Sequence, residues 1–261
     1  MTDVVLLEHP LSPYAQKLKI ALTEKSVPFE VRTPDAIGSG QSTFVDDNFR
    51  LEVPVLYVDG RPLFDSTVIL EFIEERWPEP RLRPADPWAA ARARTVEEVC
   101  DTHYEAITWG LSEIRNFRRA TGEQAEAMQA RAGEQLGRLN AWLERELGDA
   151  PWFGGDRFGW GDLSAAPFVQ GAAGFGFGPA EGSPLHAWLK RCRERPSVAS
   201  AFEAARAAAV AMSQVADVVA AGLFKRQYRD HRLEWMVRTG GLDIVQRGLE
   251  RDNIRFTQPP G

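Results

Sequence analysis

A chain of 261 residues, 44% hydrophobic and 26% charged, has the composition of a globular protein with a sizeable core in one or two domains. Its net charge of -6 argues against a general binder of nucleic acid or of anionic membrane surfaces. No apolar run approaches the ~18 residues that span a bilayer, and no basic-then-apolar leader opens the chain.

The first elements follow closely on one another. Val4–Leu7 is strand-like and runs through His9-Pro10-Leu11 into a helix over Pro13–Glu24, with Ser12 at the N-cap and Pro13 at the first helical position. Phe29–Arg32 is a second strand, parallel to the first if the crossover has the usual hand. A polar stretch follows, with a short helix expected over Thr43–Phe49. Val53–Val58 and Arg61–Phe64 are two strands joined at the Asp59-Gly60 hairpin, and Ser66 is the expected cap of a helix reaching Arg76.

Trp77 to Pro87 carries four prolines and marks a linker. The remainder is helical in pattern: Trp88–Ala120, Glu123–Leu147 with Met128, Leu136, Leu139, Trp142 and Leu143 in its stripe, a buried Gly159–Phe175, then Leu185–Glu194 and an alanine-rich Ser197–Val219. Lys225–Phe256 gives two amphipathic pieces broken at Gly240-Gly241. Their apolar stripes are expected to pack on the bundle, with a lid over a pocket or a partner surface as the functional alternative. The expected fold class is α/β plus all-α, a small mixed sheet with helices followed by a helical bundle.

Metal chemistry is not expected. His9, His103, His186 and His231 show no helical pairing, and Cys100 and Cys192 lie far apart, which suits a reducing cytoplasm rather than a disulfide framework. Gly171 to Gly178 is glycine-rich but leaves a helix rather than a strand, so it is not a phosphate loop.

Four features, in order, resemble the glutathione S-transferase superfamily. Ser12-Pro13-Tyr14 is similar to its active-site serine or cysteine with proline and an aromatic. Val53-Pro54-Val55-Leu56 resembles its Val-Pro strand entry, Asp65-Ser66 its acidic-serine pair, and Phe158 to Ala166 its buried-helix capping segment with Asp162 as the acidic member. The resemblance implies a thioredoxin-like domain over residues 1–78, a linker over 79–87, a helical domain over 88–222 and a helical extension over 223–261. It also implies a cytoplasmic homodimer acting on a small hydrophobic electrophile, without metal, nucleic acid or membrane.

Glutathione would then be the co-substrate. Ser12 would donate to its sulfur, Val53 would pair with its cysteinyl backbone beside a cis Pro54, and Asp65 would receive its ammonium. Ser66 would hold the neighbouring carboxylate. The second substrate would sit among His9, Leu11, Tyr104, Thr108, Trp109 and Arg115. A serine at position 12 favours conjugation, ether cleavage or dehalogenation over thiol–disulfide exchange. Departures from the family pattern are Glu52, which would repel the glycine carboxylate and leave Arg50 or Gln41 to compensate, Phe49 in place of a proline, and Gly159 at a helix cap. Glu52 and the tail motivate the alternative of a non-catalytic binding protein.

Overall fold

The computed structural model describes residues 3–34, 48–211, 215–221, 228 and 230–254. The first part contains β1 (Val4–Leu7), α1 (Pro13–Glu24), β2 (Glu30–Arg32), β3 (Val55–Val58), β4 (Arg61–Phe64) and α2 (Ser66–Arg76). The strands lie in the order β2-β1-β3-β4, with β1 parallel to β2 and the other pairs antiparallel. Leu6 of β1 stands opposite Leu56 of β3. With Val4 and Val58 they present one apolar face, which packs with Leu18 and Leu22 of α1 and Ile69 and Ile73 of α2.

The α1 boundaries are those its sequence demands, with Ser12 capping and Pro13 opening the first turn. Most of its circumference is buried, because α1 packs on α2, on α6 (Trp160–Gly174) and on α8 (Pro196–Ala211). The proline-rich linker is tied down by buried Lys25. Its Nζ donates to the carbonyls of Trp77 and Pro80 at 2.7 and 2.9 Å and pairs with Glu74 at 2.8 Å.

The remaining helices are α3 (Pro87–Val99), α4 (Glu105–Arg115), α5 (Gly122–Leu147), α7 (Pro184–Glu194), α9 (Val215–Ala220), α10 (His231–Arg238) and α11 (Leu242–Glu250). The long helix expected over 88–120 is in fact two, joined by a π-helical turn at Cys100–Tyr104 and ending at Arg115. A π turn takes in one residue more per turn than an α turn and re-aims the side chains that follow. Leu136, Leu139 and Leu143 of α5 are fully buried, whereas Met128, expected in that stripe, is exposed. Helix α6 is buried almost all round, as a helix with no polar face must be. Both cysteines are free and buried.

Two local expectations change, and a third falls largely outside the described residues. Asp65, not Ser66, is the N-cap of α2: its Oδ1 accepts from the N–H groups of Thr67 and Val68, and Ser66 is the first helical residue. Of the short helix expected over Thr43–Phe49, residues 43–47 lie outside the described residues and Phe49 lies in a turn. The tail helices break at Gly240-Gly241 as expected, yet most of their apolar residues face solvent rather than the bundle, with Met236 and Val245 half-buried. Leu233, Trp235, Leu242, Ile244 and Leu249 are all exposed, Trp235 by 64%.

Candidate functional site

A cleft opens along the C-terminal side of β1, walled by the β1–α1 loop, the turn before β3 and the start of α2. Its opposite wall comes from α4, α6 and the tail. The β1–α1 loop is fixed by three short-range bonds. The His9 carbonyl accepts from the Ser12 N–H at 2.8 Å, the Pro10 carbonyl accepts from Gln16 Nε2 at 2.9 Å, and His9 Nδ1 accepts from the Leu11 N–H at 3.3 Å.

This loop delivers Ser12 to the cleft wall at the N-cap of α1. Its Oγ accepts from the Ala15 N–H at 3.3 Å. A hydroxyl that accepts still has its own hydrogen to give. Among the described residues nothing takes that hydrogen. The first turn of α1 adds the positive end of a helix dipole.

Val53 and Pro54 line the same cleft, joined by a cis peptide bond. The turn ahead of them is held by Asn48, which is buried where the family pattern has an asparagine before proline. Its Nδ2 donates to the Glu52 carbonyl at 2.7 Å and its Oδ1 accepts from the Arg50 N–H at 3.0 Å. The Arg50 guanidinium leans over Phe64 and lies 3.4 Å from Asp65 Oδ2. Arg50 therefore sits on the Asp65 side of the cleft. Glu52 is also on the wall, and Gln41 lies outside the described residues. Ser66 follows at the N-terminus of α2, where backbone N–H groups favour an anion.

Among the residues expected around a second substrate, His9, Leu11, Thr108 and Trp109 line the cleft. Tyr104 does not. It is fully buried, with its hydroxyl donating to Asn140 Oδ1 at 2.6 Å, because the π turn directs it into the bundle. Arg115 reaches the cleft but spends its guanidinium on the carbonyls of Gly174 and Phe175, at 2.6 and 3.0 Å, closing the C-terminus of α6. Tyr228 of the tail meets the Trp109 ring with centroids 4.3 Å apart.

Beneath the cleft lies a buried ionic cluster that the sequence reading missed. Lys17 of α1 is fully buried and pairs at 2.7 Å with both Glu97 and Asp101. Glu97 also accepts from Thr67 Oγ1 at 2.9 Å and from Trp160 Nε1 at 2.6 Å, tying α1, α2, α3 and α6 together. Burial alone would lower the Lys17 pKa, but the charges of Asp101 and Glu97 outweigh it and raise it. Burial pushes Asp101 up to about 6 against the pull of Lys17. The signal was present: position 17 falls four residues before Ala21 on the apolar stripe, and a lysine there needs a buried partner.

Asp162 occupies the role expected of it at the start of α6. One oxygen accepts from the Gly159 N–H at 2.9 Å, and the other accepts from the Phe153 N–H at 3.0 Å and Trp188 Nε1 at 2.8 Å.

Comparison with known proteins agrees with this arrangement. Residues 6–81 match the glutathione S-transferase N-terminal domain and residues 123–191 the C-terminal domain. Glutathione S-transferase U24 of Arabidopsis thaliana is 32% identical over 206 residues, which cover 77% of this chain and 89% of that protein. The chain belongs to the glutathione S-transferase family. A probable glutathione S-transferase from Nicotiana tabacum, parC, is 32% identical over 207 residues, again 77% of this chain and 89% of the relative. Among solved structures, a rice glutathione S-transferase in complex with glutathione superposes with a TM-score of 0.66 at 29% identity, over 82% of this chain and 97% of that one. A Tau-class glutathione S-transferase from mango gives 0.65 at 25% identity, over 80% and 98%. Among the described residues no helix is long and apolar enough to cross a membrane, and no cluster of three metal-ligating side chains occurs.

Proposed function

We propose that this chain is a glutathione transferase in which Ser12 holds the glutathione sulfur as a thiolate for attack on a hydrophobic electrophile. The observation that carries this reading is a capping hydroxyl with its hydrogen uncommitted, on one cleft wall with Val53-Pro54 and Asp65-Ser66. A free thiol has a pKa of about 8.5. Lowering it by about two units needs ~2.7 kcal/mol of preference for the thiolate. One hydrogen bond to a charged group supplies ~1.5–3 kcal/mol and a helix N-terminus ~0.3–1 kcal/mol. Ser12 and the first turn of α1 are therefore sufficient, and no general base is needed.

The rest of the tripeptide would lie along the wall. The backbone of Val53 pairs with the cysteinyl residue, the Ser66 hydroxyl and α2 N-terminus take the γ-glutamyl carboxylate, and Asp65 faces the ammonium. Arg50 beside Asp65 competes with that ammonium for the carboxylate, which moderates glutathione affinity. The electrophile would lie between the β1–α1 loop, at His9 and Leu11, and the opposite wall, at Thr108 and Trp109 of α4. Glutathione-dependent ether cleavage or dehalogenation would use the same thiolate. On this reading residues 1–78 form the glutathione-binding domain, 88–222 the helical domain and 223–261 an extension, in a cytoplasmic homodimer.

Calorimetric titration with glutathione, followed by a conjugation assay with an aryl or benzyl halide, tests the proposal. Binding together with turnover that falls sharply in Ser12→Ala supports it. A protein that binds no glutathione is the non-catalytic alternative, and full turnover in Ser12→Ala removes that residue from its role.

A further inference from the structure

The loop ahead of Ser12 holds a donor that activation of the thiol leaves unused. His9 lines the cleft beside Leu11 and Ser12. Its Nδ1 accepts the Leu11 N–H, and a ring nitrogen that accepts carries no hydrogen, so the neutral imidazole keeps its proton on Nε2. Burial lowers the His9 pKa below 6.5, with the neighbouring Glu8 charge opposing, which favours the neutral ring at pH 7. Among the described residues nothing accepts from Nε2. The ring is also held in place, since the His9 carbonyl accepts from the Ser12 N–H at 2.8 Å and the Leu11 N–H fixes Nδ1. One loop thus brings two residues to the cleft wall, Ser12 with its hydroxyl and His9 with an imidazole N–H that no described residue takes up.

We propose that His9 orients the acceptor, its Nε2–H donating to the oxygen that gains negative charge when the thiolate adds to an α,β-unsaturated carbonyl compound. The inference rests on the transferase reading above and names the acceptor class. In that addition a sulfur lone pair forms the C–S bond at the β-carbon and the C=C π pair shifts to give an enolate. Charge collects on the carbonyl oxygen, a proton from water then reaches the α-carbon, and no group leaves. A fixed donor that meets the oxygen in its charged form lowers this barrier more than it stabilises the bound enal. Displacement of chloride from benzyl chloride puts no charge on an oxygen and gains nothing from the same donor.

The test compares kcat/KM for cinnamaldehyde with that for benzyl chloride in the wild type, His9→Phe and His9→Gln. The ratio is expected to fall about ten- to a hundredfold in His9→Phe, mainly through kcat, and to recover in part in His9→Gln, whose amide still donates. Titration of the bound thiolate by its ultraviolet absorbance should give one pKa for all three proteins. An unchanged ratio overturns the proposal. So does a bound-thiol pKa that rises in His9→Phe, since that puts the donor on sulfur. A wild type that conjugates benzyl chloride but not cinnamaldehyde also overturns it while leaving the transferase reading intact; a wild type that binds no glutathione sinks both. Thermal melting checks that the variants fold, and His9→Leu repeats the comparison should the phenylalanine variant fail to do so.

Discussion

Removing the Ser12 hydroxyl deletes one donor to a charged sulfur while leaving the helix end in place. Ser12→Ala should therefore lower kcat/KM about ten- to a hundredfold and raise the pKa of bound glutathione by about one to two units. Stopped-flow titration of the thiolate absorbance measures the second effect directly. Gly159 makes the opposite point. As a helix cap it is the weaker choice, and serine there would be expected to gain a few tenths of a kcal/mol. The fold forbids it, because a Cβ at Gly159 would lie 2.4 Å from the Leu82 carbonyl oxygen, which accepts the Trp160 N–H at 2.8 Å. Gly159→Ser should destabilise the protein by about 1–3 kcal/mol, read from urea unfolding. A capping rule works from sequence, whereas the approach of a backbone 77 residues away does not.

Among the elements, α1 carries both the site and its support: Ser12 faces the cleft and Lys17, just over one turn on, is buried between two carboxylates. Lys17→Met would leave buried Asp101 without its cation and Glu97 with Arg94 alone, 3.3 Å from its Oε2, with an expected loss of ~3–5 kcal/mol of stability in urea or thermal unfolding. Asp101 adds a pH dependence of definite sign. Its pKa rises from the usual 3.8 to about 6 in the folded protein, chiefly through burial, so the native state keeps a proton the unfolded chain has lost. This contribution to stability is fully present below about pH 4 and is lost as pH rises to about 6, a change of ~3 kcal/mol at most. Asp101→Asn should flatten that part of the stability–pH profile, which melting in buffers from about pH 4 to pH 7 would reveal. The π turn that brings Asp101 to the cleft wall withdraws Tyr104 from it. Helical periodicity alone assumes an unbroken α-helix and cannot register the extra residue.

Across the whole molecule, the cleft is built by segments far apart in the chain, and the described part of the tail joins its wall, with the Tyr228 ring against Trp109. Tyr228→Ala should raise KM for the electrophile about two- to tenfold and leave KM for glutathione unchanged, because the lost ring contact with Trp109 lies on the acceptor side. Steady-state kinetics with each substrate varied in turn would show it. The sequence by itself determined the mixed sheet and its helices, the capped start of α1 and the helical second half, because these depend on local signals: caps, prolines, turn dipeptides and the period of apolar residues; Val53-Pro54 and Asp65-Ser66 stand out as site candidates only through the family resemblance. Only the tertiary structure decided that Lys17 meets Glu97 and Asp101, that Arg115 closes α6 instead of waiting for substrate, and that Tyr104 faces the bundle. Those outcomes turn on which distant backbone or charge lies within a few ångströms, a quantity that no spacing along the chain encodes.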